Sequence, residues 1–584
     1  MIVAARWACV ALACAAVFAV HAAAPPARGL IVKLKDAPPH EQALALHGAV
    51  HPDAQRWQRV LGETGIAPRR MKPSGRAAQL LDFERVLSGD EAEAMAARLR
   101  GRPDVEWVVP NERERRLQQA PNDLGFSPPQ NGSSAEAQWW LYAPTGSDGN
   151  VLAERLRGVP GLLPAWSIEQ GKASARVAVL DTGITAHPEL AGHVLPGYDF
   201  VSVVEYSNDG DGRDADPTDP GDFVSPEDAQ TPAFAGCVVE DSSWHGTIIA
   251  GQIAALTNNT DGVAAINWNG RILPVRVAGK CGADVADIID GMRWAAGLPV
   301  PGVPTNPLAN RARIINISFG GSAPCNAAYQ AAIDELAANN VIVVAAAGNE
   351  HTAPTRPANC TGVVGVAALN RDGFKSSYSN FGPSLAIATV GGDPGNDPAR
   401  DGRWASFLGD SGLLTLINDG LRGPGDSTYA FLSGTSFAAP LVSGVASLML
   451  SVNPQLTAAQ LIDGLRLSAR PHVTSSSIGA CSEANPGRCL CTTTTCGAGI
   501  LDAVRALQFA QGGPPGALSP AQINNNDVRA AASTGPDRDP NPVAGNGGGG
   551  GGTDTGGGGG ALGFGWLAGL ALAVLLLAQA RRRS

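Results

Sequence analysis

Basic charge is scarce in this sequence: 43 Lys and Arg stand against 53 Asp and Glu, giving a formal net charge of −10. Phosphate recognition needs clustered cations, so nucleic acid is excluded as a partner. Charged residues of both signs make up only 16% of the chain and aromatics 5%, while glycine reaches 72 of 584 residues. That length exceeds one ordinary domain, so several segments are expected. Histidine pairs are also missing beside the cysteines, and Cys489 and Cys491 stand too close together for the usual zinc spacing, which argues against a zinc cluster.

Residues 1–24 place Arg6 before an apolar run that ends in small residues at Ala22–Ala24, the pattern of a secretory signal peptide. Cys9 and Cys14 fall inside it. Eight cysteines remain (Cys237, Cys281, Cys325, Cys360, Cys481, Cys489, Cys491 and Cys496), and an even number in a secreted chain implies disulfides, with 105 possible connectivities. From 25 to 119 the order reads strand (GLIVKLK), helix (EQALALHGA), strand (AAQLLDFERV), helix (EAEAMAARLRG), strand (VEWVVPNE), a small α+β unit. A larger segment spans 120–512. Beyond it, 513–560 turns to Pro and Asn and then to glycine runs, a flexible linker, before an uncharged stretch at 561–580 long enough to span a bilayer and a basic end at 581–584.

Chemistry concentrates at four places in the large segment. Ser433, Gly434, Thr435, Ser436, Phe437 and Ala438 run into the apolar AAPLVSGVASLML, a buried helix starting at the serine, with Pro440 expected in its first turn. A helix N-terminus offers unpaired N–H groups and partial positive charge, so Ser436 reads as a nucleophile. Such a serine needs a base and an orienting carboxylate. Both lie upstream: the apolar strand Val177–Leu180 ends in Asp181, and His245 and Gly246 open the apolar helix HGTIIAGQIAAL. The fourth place is VIVVAAAGN, a strand ending near Asn349, whose amide suits an oxyanion.

The order Asp, His, Ser, together with DTG, HGT, GTSFAAP and AAGN, resembles the subtilisin-like serine proteases. The resemblance implies an α/β three-layer fold with a mostly parallel central sheet, preceded by a ferredoxin-like prosegment that acts as chaperone and inhibitor of its own enzyme. It implies hydrolysis of protein or peptide substrates through an acyl-enzyme, with Asp181, His245 and Ser436 as the triad and Asn349 in the oxyanion hole. Ser318, Phe319 and Gly320, with Ala346, Gly348 and Thr355, take the positions that bind substrate, and Thr355 stands where many relatives have a glycine and narrows the primary pocket. Cys237 would pair with Cys281 and Cys325 with Cys360, leaving the last four to pair among themselves. Structural calcium is also implied. Glu189, Asn259, Asp261 and Val263 match the calcium loop after the histidine helix.

A second acidic group comes from the residues alone: Asp209, Asp211, Asp214, Asp216, Asp219 and Asp222 crowd one insertion, a density of hard oxygen ligands that suits Ca²⁺ or a solvated loop. It is no EF-hand, because position twelve from Asp209 is Pro220. Ile248 and Leu441 replace histidines of the family pattern and read as core. The segment 391–428 reads as a loop insertion near the site. The tail resembles the GlyGly-CTERM sorting tails of some Gram-negative secreted enzymes, which implies transient anchoring, cutting by a tail-processing membrane protease, and a secreted or cell-surface product. Two other readings are a surface-tethered processing protease of narrow specificity and a non-catalytic surface-binding protein on the same scaffold.

Overall fold

The computed structural model describes residues 27–36, 52–74, 78–112, 120–126, 138–144, 156–394, 410–475 and 479–513. The signal peptide, the helix expected over EQALALHGA, the glycine-rich linker and the 561–580 stretch lie outside these residues. Two compact units divide the chain at Leu117 and Gln118.

In the first unit, β1 (Ala27–Leu34), α1 (Pro52–Thr64), β2 (Arg70–Ser74), β3 (Ala78–Leu87), α2 (Gly89–Arg100) and β4 (Val105–Glu112) follow one another. The sheet order is β2-β3-β1-β4 and every pairing is antiparallel, which is the ferredoxin-like arrangement the sequence led us to expect. Its core follows simple periodicities: Leu30, Val32 and Leu34 alternate inward along β1, while Ala92, Ala96 and Leu99 share one face of α2. Ser88 caps α2 by accepting the Glu91 N–H at 3.2 Å. Helix α1 and strand β2 have no counterpart in the sequence reading, because neither carries a long apolar run.

The second unit is built on seven parallel strands in the order β11-β10-β9-β8-β5-β7-β6. These are β5 (Arg176–Asp181), β6 (Tyr198–Asp199), β7 (Arg271–Arg276), β8 (Ile314–Ile317), β9 (Ile342–Ala346), β10 (Val364–Leu369) and β11 (Ile387–Val390). Strands buried on both faces carry continuous apolar runs, and here the faces divide residue by residue. Val177, Val179, Ile314, Val344 and Ala346 enter one core. Ala178, Leu180, Ile315, Ile317, Val343 and Ala345 enter the other. The first core is covered by α3 (His245–Ala254), α6 (Thr435–Val452), α7 (Ala458–Ser468) and α8 (Ala503–Ala510), the second by α4 (Val285–Ala295) and α5 (Ala327–Ala338). Three layers result.

Each fully buried Leu, Ile or Val of these cores is worth roughly 1.5–3 kcal/mol of transfer free energy. Ile248 and Leu441 are among them, at 3% and 0% exposure, so their apolar character belongs to packing. One helix among the described residues, α6, is long and apolar enough to cross a membrane, but it lies buried against the sheet. The 391–428 insertion is corrected in part: Leu413–Asn418 (β12) pairs in antiparallel register with Ser427–Leu432 (β13), so much of it is a hairpin. Leu413 and Leu416 are buried, which anchors that hairpin over α3. The disulfides join Cys237 to Cys281, Cys325 to Cys360, Cys481 to Cys489 and Cys491 to Cys496.

Candidate active site

The parallel register sets the site. Leu180 pairs with Ile317 and Ile317 with Ala345, so β5, β8 and β9 end side by side and deliver Asp181, Ser318 and the Gly348–Asn349 turn to one edge of the sheet. Open α/β sheets place their sites at this carboxyl edge, near the point where strand order reverses.

Asp181 is 1% exposed, and its Oδ1 accepts the Thr182 N–H at 2.9 Å while standing 2.8 Å from His245 Nδ1. His245 is the first residue of α3, after Trp244 in a left-handed conformation at φ 52°. The helix start is pressed onto the aspartate turn: Gly246 N–H donates to Thr182 Oγ1 at 3.1 Å, and a Cβ on Gly246 would meet the Gly183 carbonyl at 2.2 Å. Only glycine allows that approach. Thr247 Oγ1 accepts the Thr185 N–H at 2.8 Å and ties the same two segments together again. Burial pushes the His245 imidazole down, but the Asp181 carboxylate, with the more distant Asp222 and Asp219, more than offsets this and holds it above the ordinary histidine value.

Asn349 stands opposite. Its Oδ1 accepts both Thr435 N–H and Thr435 Oγ1–H at 2.9 Å, which assigns the amide and turns Nδ2 toward the start of α6. Ser436 follows Thr435. Its Oγ donates to the Ser318 carbonyl at 2.7 Å, a bond the hydroxyl gives up when it turns to the His245 ring.

Pro440 lies inside α6 and not in its first turn, which corrects the expectation from sequence. Lacking an N–H, it leaves the Ser436 carbonyl without its i+4 donor. The Ser318 hydroxyl supplies one at 2.8 Å, itself held by Asn316 Nδ2 at 2.9 Å, and Asn316 Oδ1 accepts from Ser443 Oγ at 2.8 Å. A buried polar residue in a central strand thus links the sheet edge to the serine helix.

A serine hydroxyl, an imidazole oriented by a buried carboxylate, and a fixed amide donor at a helix N-terminus can carry out acyl transfer. The profile of the subtilase family matches residues 172–494, which hold all of these groups. The chain belongs to the subtilase family. This subtilase is 36% identical over 438 residues to the extracellular protease of Xanthomonas campestris pv. campestris, covering 74% of this chain and 64% of that one. It is 34% identical over 439 residues to the extracellular basic protease of Dichelobacter nodosus, covering 74% and 65%. The chain therefore spans somewhat under two thirds of the length of these two relatives. The solved structure of proteases from Pseudoalteromonas arctica PAMC 21717 matches at a TM-score of 0.54 and 36% identity, covering 67% of this chain and all of that one.

Around the subtilase centre, Phe319 is half-buried and Gly320 exposed at the end of β8, while Ala346 is buried at the end of β9. Thr355 is 5% exposed, and its Oγ1 donates to the Ala347 carbonyl at 3.2 Å, so it lies behind the strand end that carries Gly348.

The acidic insertion is occupied with its own turns. Asp209 and the buried Asp199 pair with Arg276, Asp214 accepts the Asp216 N–H at 2.8 Å, Asp216 accepts the Thr218 N–H at 3.0 Å, and Asp222 accepts from Ser243 N and Oγ at 2.6 and 2.7 Å. Asp211 is exposed, and Asp219 is buried against Thr182 Oγ1 at 2.6 Å. Among the described residues no three carboxylates bring oxygens within 4.8 Å of one another.

The loop after α3 has a different character. Glu189, 2% exposed, accepts from Asn259 Nδ2 at 3.0 Å and Val263 N at 3.2 Å. Asp123, which no sequence motif marks, accepts the Asn258 N–H at 2.8 Å. Burial first, and the neighbouring carboxylates with it, push both Glu189 and Asp123 above the usual carboxylate range, with Asp261 acting on each. Gly262 has no side chain where a Cβ would stand 2.4 Å from Tyr429 Oη and 2.5 Å from the Glu189 carboxylate. The acids here offer the oxygen donors a hard cation takes, but among the described residues Glu189, Asp123 and Asp261, like the aspartates of the insertion, do not bring three carboxylate oxygens within 4.8 Å of one another.

Proposed function

We propose that this subtilase is a secreted serine endopeptidase that cleaves peptide bonds through an acyl-enzyme. The observation that carries the reading is the 2.8 Å contact of Asp181 with His245 at the same sheet edge as Ser436 and the Thr435-fixed Asn349 amide. Ser436 Oγ attacks the scissile carbonyl carbon while His245 takes its proton. Asn349 Nδ2 and the Ser436 N–H hold the oxyanion, and His245 returns the proton to the leaving amine. Water, activated by the same imidazole, then releases the acyl group. Asp181 fixes the tautomer and stabilises the imidazolium.

Ser318, Phe319 and Gly320 on one side, with Ala346 and Gly348 on the other, pair with substrate backbone and wall the primary pocket, which Thr355 narrows. The unit ending at Leu117 acts as folding template and inhibitor, and its removal activates the enzyme. The stretch at 561–580 anchors the product until a membrane protease cuts the tail. Secretion is supported by the names of the two relatives, which both carry the word extracellular, and by four disulfides. Calcium held by Glu189, Asn259, Asp261, Asp123 and the Val263 backbone would neutralise the buried acids and lock this loop onto the start of the unit.

Labelling of the secreted protein with a fluorophosphonate, beside casein hydrolysis, tests the chemistry. Both are expected from the wild type and lost in Ser436→Ala. Absence of labelling in matured wild-type protein would sink the peptidase reading and promote the binding one, whereas labelling with cleavage of only a narrow peptide set would favour a processing enzyme.

A further inference from the structure

Asn349 can serve an oxyanion only if the turn that carries it is rigid, yet this turn has an unusual backbone. Gly348 sits at φ 104° and His351 at φ 48°, and the chain leaves the sheet after Ala346. Thr435 fixes the side-chain oxygen of Asn349 and accepts the Gly348 N–H at 3.1 Å. The other main-chain groups of the turn face away from Thr435 and need partners elsewhere.

One side chain serves three of them, while His351 N–H donates to the Tyr378 carbonyl at 2.8 Å and the Thr352 carbonyl accepts the Phe381 N–H at 2.9 Å. Asn380 is fully buried. Its Nδ2 donates to the Ala347 carbonyl at 3.1 Å and to Glu350 Oε2 at 2.7 Å. Its Oδ1 accepts the Glu350 N–H at 3.0 Å and the Thr352 N–H at 2.9 Å, and its own N–H donates to the Gly348 carbonyl at 2.9 Å. Asn380 therefore grips residues on both sides of Asn349 without touching the Asn349 side chain. A Cβ on Gly348 would lie 2.3 Å from Asn380 Nδ2, so the glycine leaves the room that the amide fills. Asn380 is in turn held from behind. Lys375, also fully buried, donates from Nζ to the carbonyls of Ser376 and Ser379 at 2.8 Å and of Ser377 at 3.3 Å, which closes the loop leading into Asn380.

We infer that Asn380 is a positioning residue for the oxyanion donor: it sets the backbone of the 347–352 turn so that Asn349 Nδ2 meets the developing charge, and it does so without contacting substrate. The inference rests on the peptidase reading above. Because a displacement of about 1 Å at a catalytic donor costs up to ~10²-fold in rate, the effect belongs in kcat.

A double-mutant cycle with Asn349→Ala tests this, using matured protein and a chromogenic peptide. Asn380→Ala is expected to lower kcat roughly 10- to 100-fold with KM within about 2-fold, the size of losing much of one oxyanion donor. In the Asn349→Ala background the same change should cost less than about 3-fold, since the donor it positions is gone. Asn380→Asp keeps the acceptor for Glu350 and Thr352 but loses the donor to Ala347 and to Glu350 Oε2 and sets a carboxylate against that of Glu350, so its loss should be at least that of Asn380→Ala. Equal losses in both backgrounds would overturn the inference in favour of a general structural role, as would collapse of the fold in both Asn380 variants, seen by circular dichroism. An Asn349→Ala protein as active as wild type would instead refute the underlying oxyanion assignment.

Discussion

The bond between Ser318 and the serine helix makes an unusual demand on Pro440. Replacing Ser318 by Ala removes a hydroxyl that donates to the Ser436 carbonyl at 2.8 Å and accepts from Asn316 Nδ2 at 2.9 Å. Ser318 is 1% and Asn316 0% exposed, so water does not readily replace either bond. Each orphaned buried group costs about 1–3 kcal/mol, so the single change should destabilise the protein by about 2–6 kcal/mol. The carbonyl is dependent on Ser318 only because Pro440 has no N–H to offer it. Pro440→Ala restores that donor within the helix. In the Pro440→Ala background, Ser318→Ala should therefore cost about 1 kcal/mol less, the net worth of one hydrogen bond. Urea unfolding of the four proteins, all carrying Ser436→Ala to prevent self-digestion, measures the coupling. Strict additivity would refute the argument, because it would mean that the Ser318 hydroxyl and the proline do not compete for the same carbonyl.

The acid limb of the kcat/KM profile should lie above the ordinary histidine value. On the proposed mechanism the neutral ring is the base, and the carboxylates that raise its pKa keep it protonated to higher pH. In Asp181→Asn the limb should move down while kcat falls on the order of 10³–10⁴-fold, and a limb that stays in place would show that another group controls it. Gly246→Ala must open the 2.2 Å approach to the Gly183 carbonyl, at a cost of roughly 1–3 kcal/mol in stability and a kcat loss that fluorophosphonate labelling rates would register. Unchanged melting and labelling would contradict that packing. Among the disulfides, removing Cys237–Cys281, which spans 44 residues, should destabilise more than removing Cys491–Cys496, which spans 5, by about 2 kcal/mol in the loop-entropy account. Melting of the paired Cys→Ser variants decides between that ranking and its reverse.

What the sequence made legible was periodic or local. Apolar strands ending in Asp181, Ser318 and near Asn349 announced the sheet and one of its edges, because a strand buried on both faces is mostly apolar and polar residues gather where it ends, Asn316 inside β8 being the exception. The six aspartates leave a calcium loop and a set of Asx turns both open, since the two draw on the same composition, and nothing in the local pattern reveals that Arg276, from β7, answers Asp199 and Asp209. Pro440 escapes the usual first-turn rule because the helix begins at Thr435 and the proline falls beyond that turn. Asp123 and Asn380 were invisible for a third reason. Each acts through main-chain N–H groups of distant segments, and main-chain partners leave no trace in side-chain spacing.

The letters of the three motifs that do no chemistry have a common use. Thr182, next to the carboxylate, receives the Gly246 N–H of the histidine helix, and Thr247 on that helix receives Thr185 from the aspartate turn. Thr435, next to the serine, receives Gly348 and donates to Asn349 across 86 residues of chain. In each case a small hydroxyl close to one residue of the proposed site docks the segment that carries another. Threonine suits this role because its hydroxyl both donates and accepts, and its branched Cβ restricts the rotamer that presents it. Asp181 and His245 stand 64 residues apart in the chain, and their meeting would otherwise depend on sheet register alone, which fixes strand ends but not the loops beyond them. On the proposed mechanism the motifs are therefore as much assembly instructions as catalytic ones.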